Sequence, residues 1–590
     1  MASVQEEASP ALTGAAALTG RVAGAGSVIE TFAFHLTLLV FFVAAQVAQV
    51  PTRLVSSDNS WHYRLARDVL SGERIYWSAV DANRLFPDLV FSIAALLLPL
   101  GGDFSTWIYH YQAVHSLALY ASLAALAACL SRNVGERRLF LLVAAPAMAL
   151  FMIALPFWGF WLVVPGNHGA GLPVAFLCLA IVFSALRSDS VSGPGAAAFV
   201  LMVALVIASN RLLLGTFIMP LLLTLVVGFG LRWRERGTGQ ALPDRDGPVG
   251  AGTGTYAVLI AMTCVAGVSG ILTWRILGDL GWHKLVAPGG MPSPTPSVDW
   301  LVQTLTKEAS ELQIASGTEA AWDVFIGLLL LVVAVAFGAV VLARALRAHG
   351  VTASQENQVM LAGFAALSAL AAMAFTIIKT DDSGPWHYRY LAVSIGFAVA
   401  ALSSMPLLLR RFRGPGWGFT GVAVVGLTGA LVLIIVEAEQ RPLPAHQREA
   451  TYERSIADLT RLIGRHAGEG AKLRGYAEYW LANDISTRSS VLQIGSFDSL
   501  SPVFRFYNNN AAELCAEEHL FVLHSPKKNE PPMDRIVALL GEPASVEETR
   551  LAGHDTIAVL YYDPAILKTR VTRPARERAV DVFPSFKCGT

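Results

Sequence analysis

Long apolar runs constrain this chain more than any other feature. Stretches near 31–51, 106–130, 139–163, 171–187, 195–209, 212–231, 255–277, 322–343, 357–378, 388–409 and 416–437 approach or reach spanning length. A hydrocarbon core of ~30 Å needs about 20 such residues in a helix. Inside lipid the backbone must satisfy its own hydrogen bonds, which favours helices. Charge follows the same division. Residues 441–590 carry 19 Lys/Arg and 19 Asp/Glu, whereas the first 440 carry only 50 charged residues. The expectation is an all-α polytopic membrane domain over 29–440, with about eleven transmembrane helices. A disordered Ala/Gly/Thr-rich N-terminus over 1–28 precedes it, and a small soluble α/β domain over 441–590 follows. Formal net charge is zero, so no basic field points to nucleic acid.

Two segments qualify this count. Phe86–Gly101 is apolar but short, bounded by prolines and glycines, and reads as an interfacial helix. Asn210 and Arg211 interrupt 195–231, which is either two spans or one broken helix. Cytoplasmic loops carry an excess of Lys/Arg. With the N-terminus in the cytoplasm, Arg132, Arg137, Arg138, Arg187, Arg232, Arg234, Arg236, Arg344, Arg347, Arg410, Arg411 and Arg413 all fall inside, and 441–590 falls outside. The first outward loop, 52–105, dissents with five Arg. Its spacing suggests a surface-lying helix whose arginines meet lipid headgroups or an anionic ligand.

Three outward segments carry chemistry. The first is Asp58-Asn59-Ser60-Trp61-His62-Tyr63-Arg64-Leu65-Ala66-Arg67-Asp68. A carboxylate at the membrane boundary is costly to desolvate, and Asp58 suits a general base. It suits a plain helix N-cap as well. The second is Pro165-Gly166-Asn167-His168-Gly169-Ala170-Gly171, whose glycines permit close backbone approach to a ligand; it also reads as an ordinary interfacial turn. A single His is weak ground for a metal. The third, Lys379 to Tyr390, holds His387 and Arg389. An unpaired cation there is costly, so Arg389 should meet Asp381, Asp382 or a phosphate. Arg211 and Arg275 are similar, with snorkelling as the simpler account. Cys129, Cys178 and Cys264 read as small core residues. Cys515 and Cys588 could pair or stay free.

The run from Asp58 to Leu70 resembles the first-loop motif of GT-C fold glycosyltransferases. The interfacial Phe86-Pro87 helix and the basic end of the next span follow in similar order. His387-Tyr388-Arg389-Tyr390-Leu391 is similar to the start of a late span in protein O-mannosyltransferases and aminoarabinose transferases. The motif near the fourth span departs from the family, with Asn167-His168-Gly169 in place of an Asp.

The resemblance implies a GT-C membrane domain and inverting transfer of a sugar from a polyprenyl-phosphate donor. The acceptor would be a glycan, lipid or protein on the outer face of an integral membrane, in a bacterial inner membrane. Asp58 would be the catalytic base. Arg389, Arg275 and Arg84 would bind the donor phosphate. Asn59, His62, Tyr63, Arg64, His168 and His387 would line the acceptor or sugar side. No cofactor is required by these residues, and a divalent metal is left open. The rival is a transporter or flippase of lipid-linked sugars, which more often shows internal repeats.

In 441–590, Ala445–Ala467 and Met533–Leu540 read as helices, with Gly541 as a stop. Ser489–Ile494, Leu520–Leu523 and Thr556–Tyr562 read as strands. Arg474–Asp484 suits either sugar stacking or a helix packed on the membrane part.

Overall fold

A computed structural model describes residues 30–45, 57–72, 78–79, 86–99, 103–154, 158, 162, 168–237, 251–279, 284–285, 319–347, 353–378, 391–409, 445–467, 473–489, 491–497, 515–516, 518–525, 532–552, 556–582 and 588. The chain is mostly helical. Among the described residues six helices are long and apolar enough to cross a membrane: Thr106–Leu130, Gly171–Ser188, Leu214–Arg234, Thr253–Leu277, Val324–Ala343 and Gln355–Thr376. Glu30–Ala45, Gly193–Ser209 and Ala392–Leu408 are apolar but shorter. A further helix, Val134–Ala154, carries Pro146 in its interior. The expected count of about eleven is therefore not reached within these residues, and 416–437 lies outside them.

Lipid-type surfaces are visible on two helices. Thr253–Asp279 exposes Val258, Val265, Val268, Ile271, Leu272 and Ile276, and Glu319–Arg347 exposes Phe325, Leu329, Val332 and Val340. Water would penalise such faces, whereas acyl chains do not. Helix contacts use small residues. A Cβ on Gly270 would come within 2.6 Å of Ile207, so glycine lets the two helices close.

Asn210 and Arg211 mark a reversal between two helices. Gly193–Ser209 runs parallel to Thr253–Asp279, because Asp189 accepts from Gly252 N–H (2.6 Å) while Ile207 lies against Gly270. Leu214–Arg234 runs antiparallel to it, with Ile218 beside Gly267 and Gly228 against Tyr256.

One end of the bundle collects the loops expected in the cytoplasm. Arg138 pairs with Glu30 (2.6 Å), and Arg187 donates to the Ala128 and Ser131 carbonyls (2.9 Å each). Asn357 donates to the Cys129 (3.0 Å) and Phe183 (2.9 Å) carbonyls. Arg232 forks onto Glu356 (3.1 and 2.7 Å), which also accepts from Tyr256 (2.6 Å).

The C-terminal region is a three-layer α/β unit. Two short strands in the first part, β1 (Ser78–Ala79) and β2 (Lys284–Leu285), pair in parallel. The C-terminal sheet holds β3 (Leu473–Glu478), β4 (Leu492–Phe497), β5 (Phe521–His524), β6 (Ser545–Arg550) and β7 (Thr556–Tyr561), in the order β4-β3-β5-β7-β6. β4, β3 and β5 are mutually parallel, and β7 and β6 close the sheet antiparallel. Side chains alternate between two cores. Leu473, Ala477, Phe521, Leu523, Ile557 and Val559 meet the helices Ala445–Gly464 and Tyr479–Arg488 on one face. Tyr476, Val522, Ala558 and Leu560 meet Met533–Leu540 and Leu567 on the other. Cys515 and Cys588 are joined in a disulfide.

Candidate active site

The end opposite the arginine loops gathers segments from distant parts of the chain. Helix Ser57–Ser71 packs against helix Asp88–Leu96, which packs against the start of Phe104–Leu130. Asp103 caps that last helix, accepting from Thr106 N–H (2.6 Å). Phe86 N–H donates to Ser209 Oγ (2.9 Å), tying the first loop to the Asn210 reversal. The 3-10 turn His168–Ala170 packs against the helix that begins at Ala392, three residues beyond Arg389. A Cβ on Gly169 would fall 2.1 Å from the Leu162 carbonyl oxygen, so only glycine fits there.

Helix Ser57–Ser71 begins before Asp58, which places Asp58 in its first turn rather than at its N-cap. Asn59 follows it in the same turn. His62, Tyr63 and Arg64 are buried. The Tyr63 ring meets Phe104 edge-on (5.5 Å) and Trp107 (5.4 Å), and burial pushes its hydroxyl pKa up. Arg67 lies over the same ring (5.9 Å) and beside Asp68 (3.7 Å).

This burial corrects the expected surface-lying helix. Leu65, Ala66 and Asp68 are buried too, while Leu70 is exposed. The physical reason is packing: the C-terminal helix Tyr479–Arg488 and the helix Asp88–Leu96 both lie against Ser57–Ser71, while Arg67 stays half-exposed. The first of these contacts is anchored by Arg488. Its guanidinium stacks over Phe104 (4.9 Å) and Tyr452 (4.6 Å). Its Nε donates to Asp484 (3.1 Å), and the Tyr452 hydroxyl donates to the other Asp484 oxygen. Burial pushes the Asp484 carboxyl up to about 7, the Tyr452 hydrogen bond opposing it, and burial brings Arg488 down to about 9.

Arg275 is exposed on the same helix face as Ile271, Leu272 and Ile276. Arg211 stacks over Trp274 (4.5 Å). Arg84, His387 and Arg389 lie outside the described residues. His168 is placed by its backbone in the turn. No group of three or more His, Cys, Asp or Glu is set to hold a metal among the described residues.

Sequence reading missed a buried polar set beneath the first-loop helix. Tyr111 donates to Asp88 (2.7 Å), and both are buried, as are Gln112, His115 and Ser116. The signal was present as His110-Tyr111-Gln112 and His115-Ser116 inside an otherwise apolar span. Polar groups at such depth mark functional positions by default.

No family model matches the chain. No curated protein matches it either. Among solved structures, ArnT from Cupriavidus metallidurans, bound to undecaprenyl phosphate, aligns over 90% of this chain and 98% of its own. Identity is 13% and the TM-score 0.42.

Proposed function

We propose that this chain is a membrane glycosyltransferase of the GT-C type. It moves a sugar from a polyprenyl-phosphate donor to an acceptor on the outer face, with inversion. The observation that carries the reading is convergence. The Asp58 helix, the 168–170 turn and the helix start just beyond Arg389 lie at one end of the bundle, opposite the arginine-rich loops. The first two belong to segments singled out by their chemistry, and the third is the helix that follows the Lys379–Tyr390 segment; the Asp58 and Arg389 segments carry the resemblance to glycosyltransferases. The Cys515–Cys588 disulfide supports an oxidising, outward setting for 441–590.

In this reading the Asp58 carboxylate takes the proton of the acceptor hydroxyl. The freed oxygen attacks the sugar's anomeric carbon opposite the phosphate. The anomeric C–O bond breaks, and polyprenyl phosphate leaves with the electron pair. Arg389 neutralises that charge through paired N–H donors. Arg275, on an outward lipid-type face, is left to snorkel. An inverting attack suits one base and one fixed cation on opposite sides of the sugar.

Donor binding to the purified full chain in nanodiscs tests this assignment. Arg389→Ala should weaken the donor by roughly 10- to 100-fold, the scale of a charge-assisted hydrogen bond. Arg389→Lys should recover only part, because Lys lacks the planar fork. Unchanged donor affinity in Arg389→Ala would mean that Arg389 only pairs with Asp381 or Asp382.

A further inference from the structure

Helix Phe104–Leu130 buries two histidines with different surroundings. His110 Nδ1 lies 3.2 Å from the Ala95 carbonyl and is satisfied, as a core histidine should be. His115 is buried just as thoroughly, at 1% exposure. Its ring stacks on Tyr111 (6.3 Å, 5°) and meets the edge of Phe91 (5.8 Å). Neither of its nitrogens has a hydrogen-bond partner among the described residues. The Gly169 backbone lies within loose hydrogen-bonding reach of the ring, short of a bond of good geometry. Burying an imidazole without a well-formed partner is costly. Tyr111, one turn away, has its hydroxyl bonded to Asp88.

Depth places this ring at the candidate site. The Leu130 end is fixed at the arginine-loop surface by Arg187, which donates to Ala128 and Ser131. His115 lies fifteen residues before Leu130, roughly 22 Å up the helix at 1.5 Å per residue. A ~30 Å core then leaves it roughly 8 Å below the opposite surface. That is the level of the 168–170 turn, whose neighbour is the helix start beyond Arg389.

We propose that His115 holds a hydroxyl of the donor's sugar, an inference that rests on the glycosyltransferase reading. Neutral imidazole offers one donor and one acceptor, and a hydroxyl offers the same pair in return. A phosphate ester offers acceptors only and is better met by arginine. The sugar would enter beside the glycine turn, where the Gly169 backbone approaches His115, and would satisfy ring nitrogens that have no well-formed hydrogen bond among the described residues.

The test measures affinity of the full chain in nanodiscs for undecaprenyl phosphate and for its mannosyl, glucosyl and arabinosyl derivatives. In the wild type at least one glycosylated lipid should bind more tightly than bare undecaprenyl phosphate. His115→Leu should cut that glycosylated affinity by roughly tenfold or more and leave bare undecaprenyl phosphate unchanged. His115→Gln, which keeps a donor and an acceptor, should recover part of the loss. The proposal is overturned if His115→Leu binds the glycosylated lipid like wild type, or if it loses the bare phosphate equally. It is overturned alone if the wild type binds the bare phosphate but gains nothing from any sugar. A wild type that binds none of these lipids overturns the glycosyltransferase reading and this inference with it.

Discussion

Asp484 offers a test of how the C-terminal unit is held against the first-loop helix. Two forces oppose each other there. Burial favours the protonated acid, whereas Arg488 at 3.1 Å favours the carboxylate. The structure gives the decision to burial, raising the group from 3.8 to about 7. The folded chain therefore keeps a proton that the unfolded chain releases near pH 4. Stability from this group is fully present below that pH and is lost as pH rises toward 7. The slope is about 1.4 kcal/mol per pH unit, with a ceiling of about 4 kcal/mol over the whole shift. Asp484→Asn keeps an acceptor for Tyr452 and cannot titrate. The wild-type advantage over Asp484→Asn should thus shrink steadily from pH 5 to 7 and level off above about 7.5. Hydrogen exchange of the β3 and β5 amides in the intact protein reads this local stability. A difference that is flat, or that grows with pH, would show that Arg488 holds Asp484 ionised and would refute the argument.

Two further outcomes follow from the fold. Alkylation of the unreduced, denatured protein should label Cys129, Cys178 and Cys264 only, and Cys588→Ser should destabilise the C-terminal unit by about 4 kcal/mol, from a cross-link spanning 73 residues. Reporter fusions after Arg138, Arg236 and Arg347 should report cytoplasm, and a fusion within 441–590 the outer side; a cytoplasmic C-terminal unit would remove the site from the outer face.

The membrane helices were legible because apolar length is a coarse signal that survives local exceptions. Strands β5 and β7 were legible for a similar reason, being apolar runs buried on both faces. β3 was not, although it lies within the sheet. Its Arg474-Gly475 pair breaks the pattern, and Gly475 is there because the Phe521 ring on the next strand would come within 2.3 Å of a Cβ. β6 escaped notice as a polar edge strand with alternating exposure. At the candidate site, the chemical character of the three outward segments was readable, but the burial of His62, Tyr63 and Arg64 in the first was not. Only tertiary contact shows that Tyr479–Arg488 packs on Ser57–Ser71. Asp88, Tyr111 and His115 were hidden because averaging hydropathy over a span erases single polar residues. Cys515 and Cys588 could be paired only once the fold brought them together.

The most direct test of the account is turnover of a polyprenyl-phosphate sugar by the purified Asp58→Asn protein. Asp58 sits in the first turn of Ser57–Ser71, where a carboxylate is favoured by the helix dipole by roughly 0.3–1 kcal/mol. Its replacement by Asn should barely change folding or donor affinity. As the general base, however, Asp58 should be worth roughly 10²–10⁴ in rate. The account predicts a loss of that size with donor binding intact. Near-normal turnover by Asp58→Asn would contradict it.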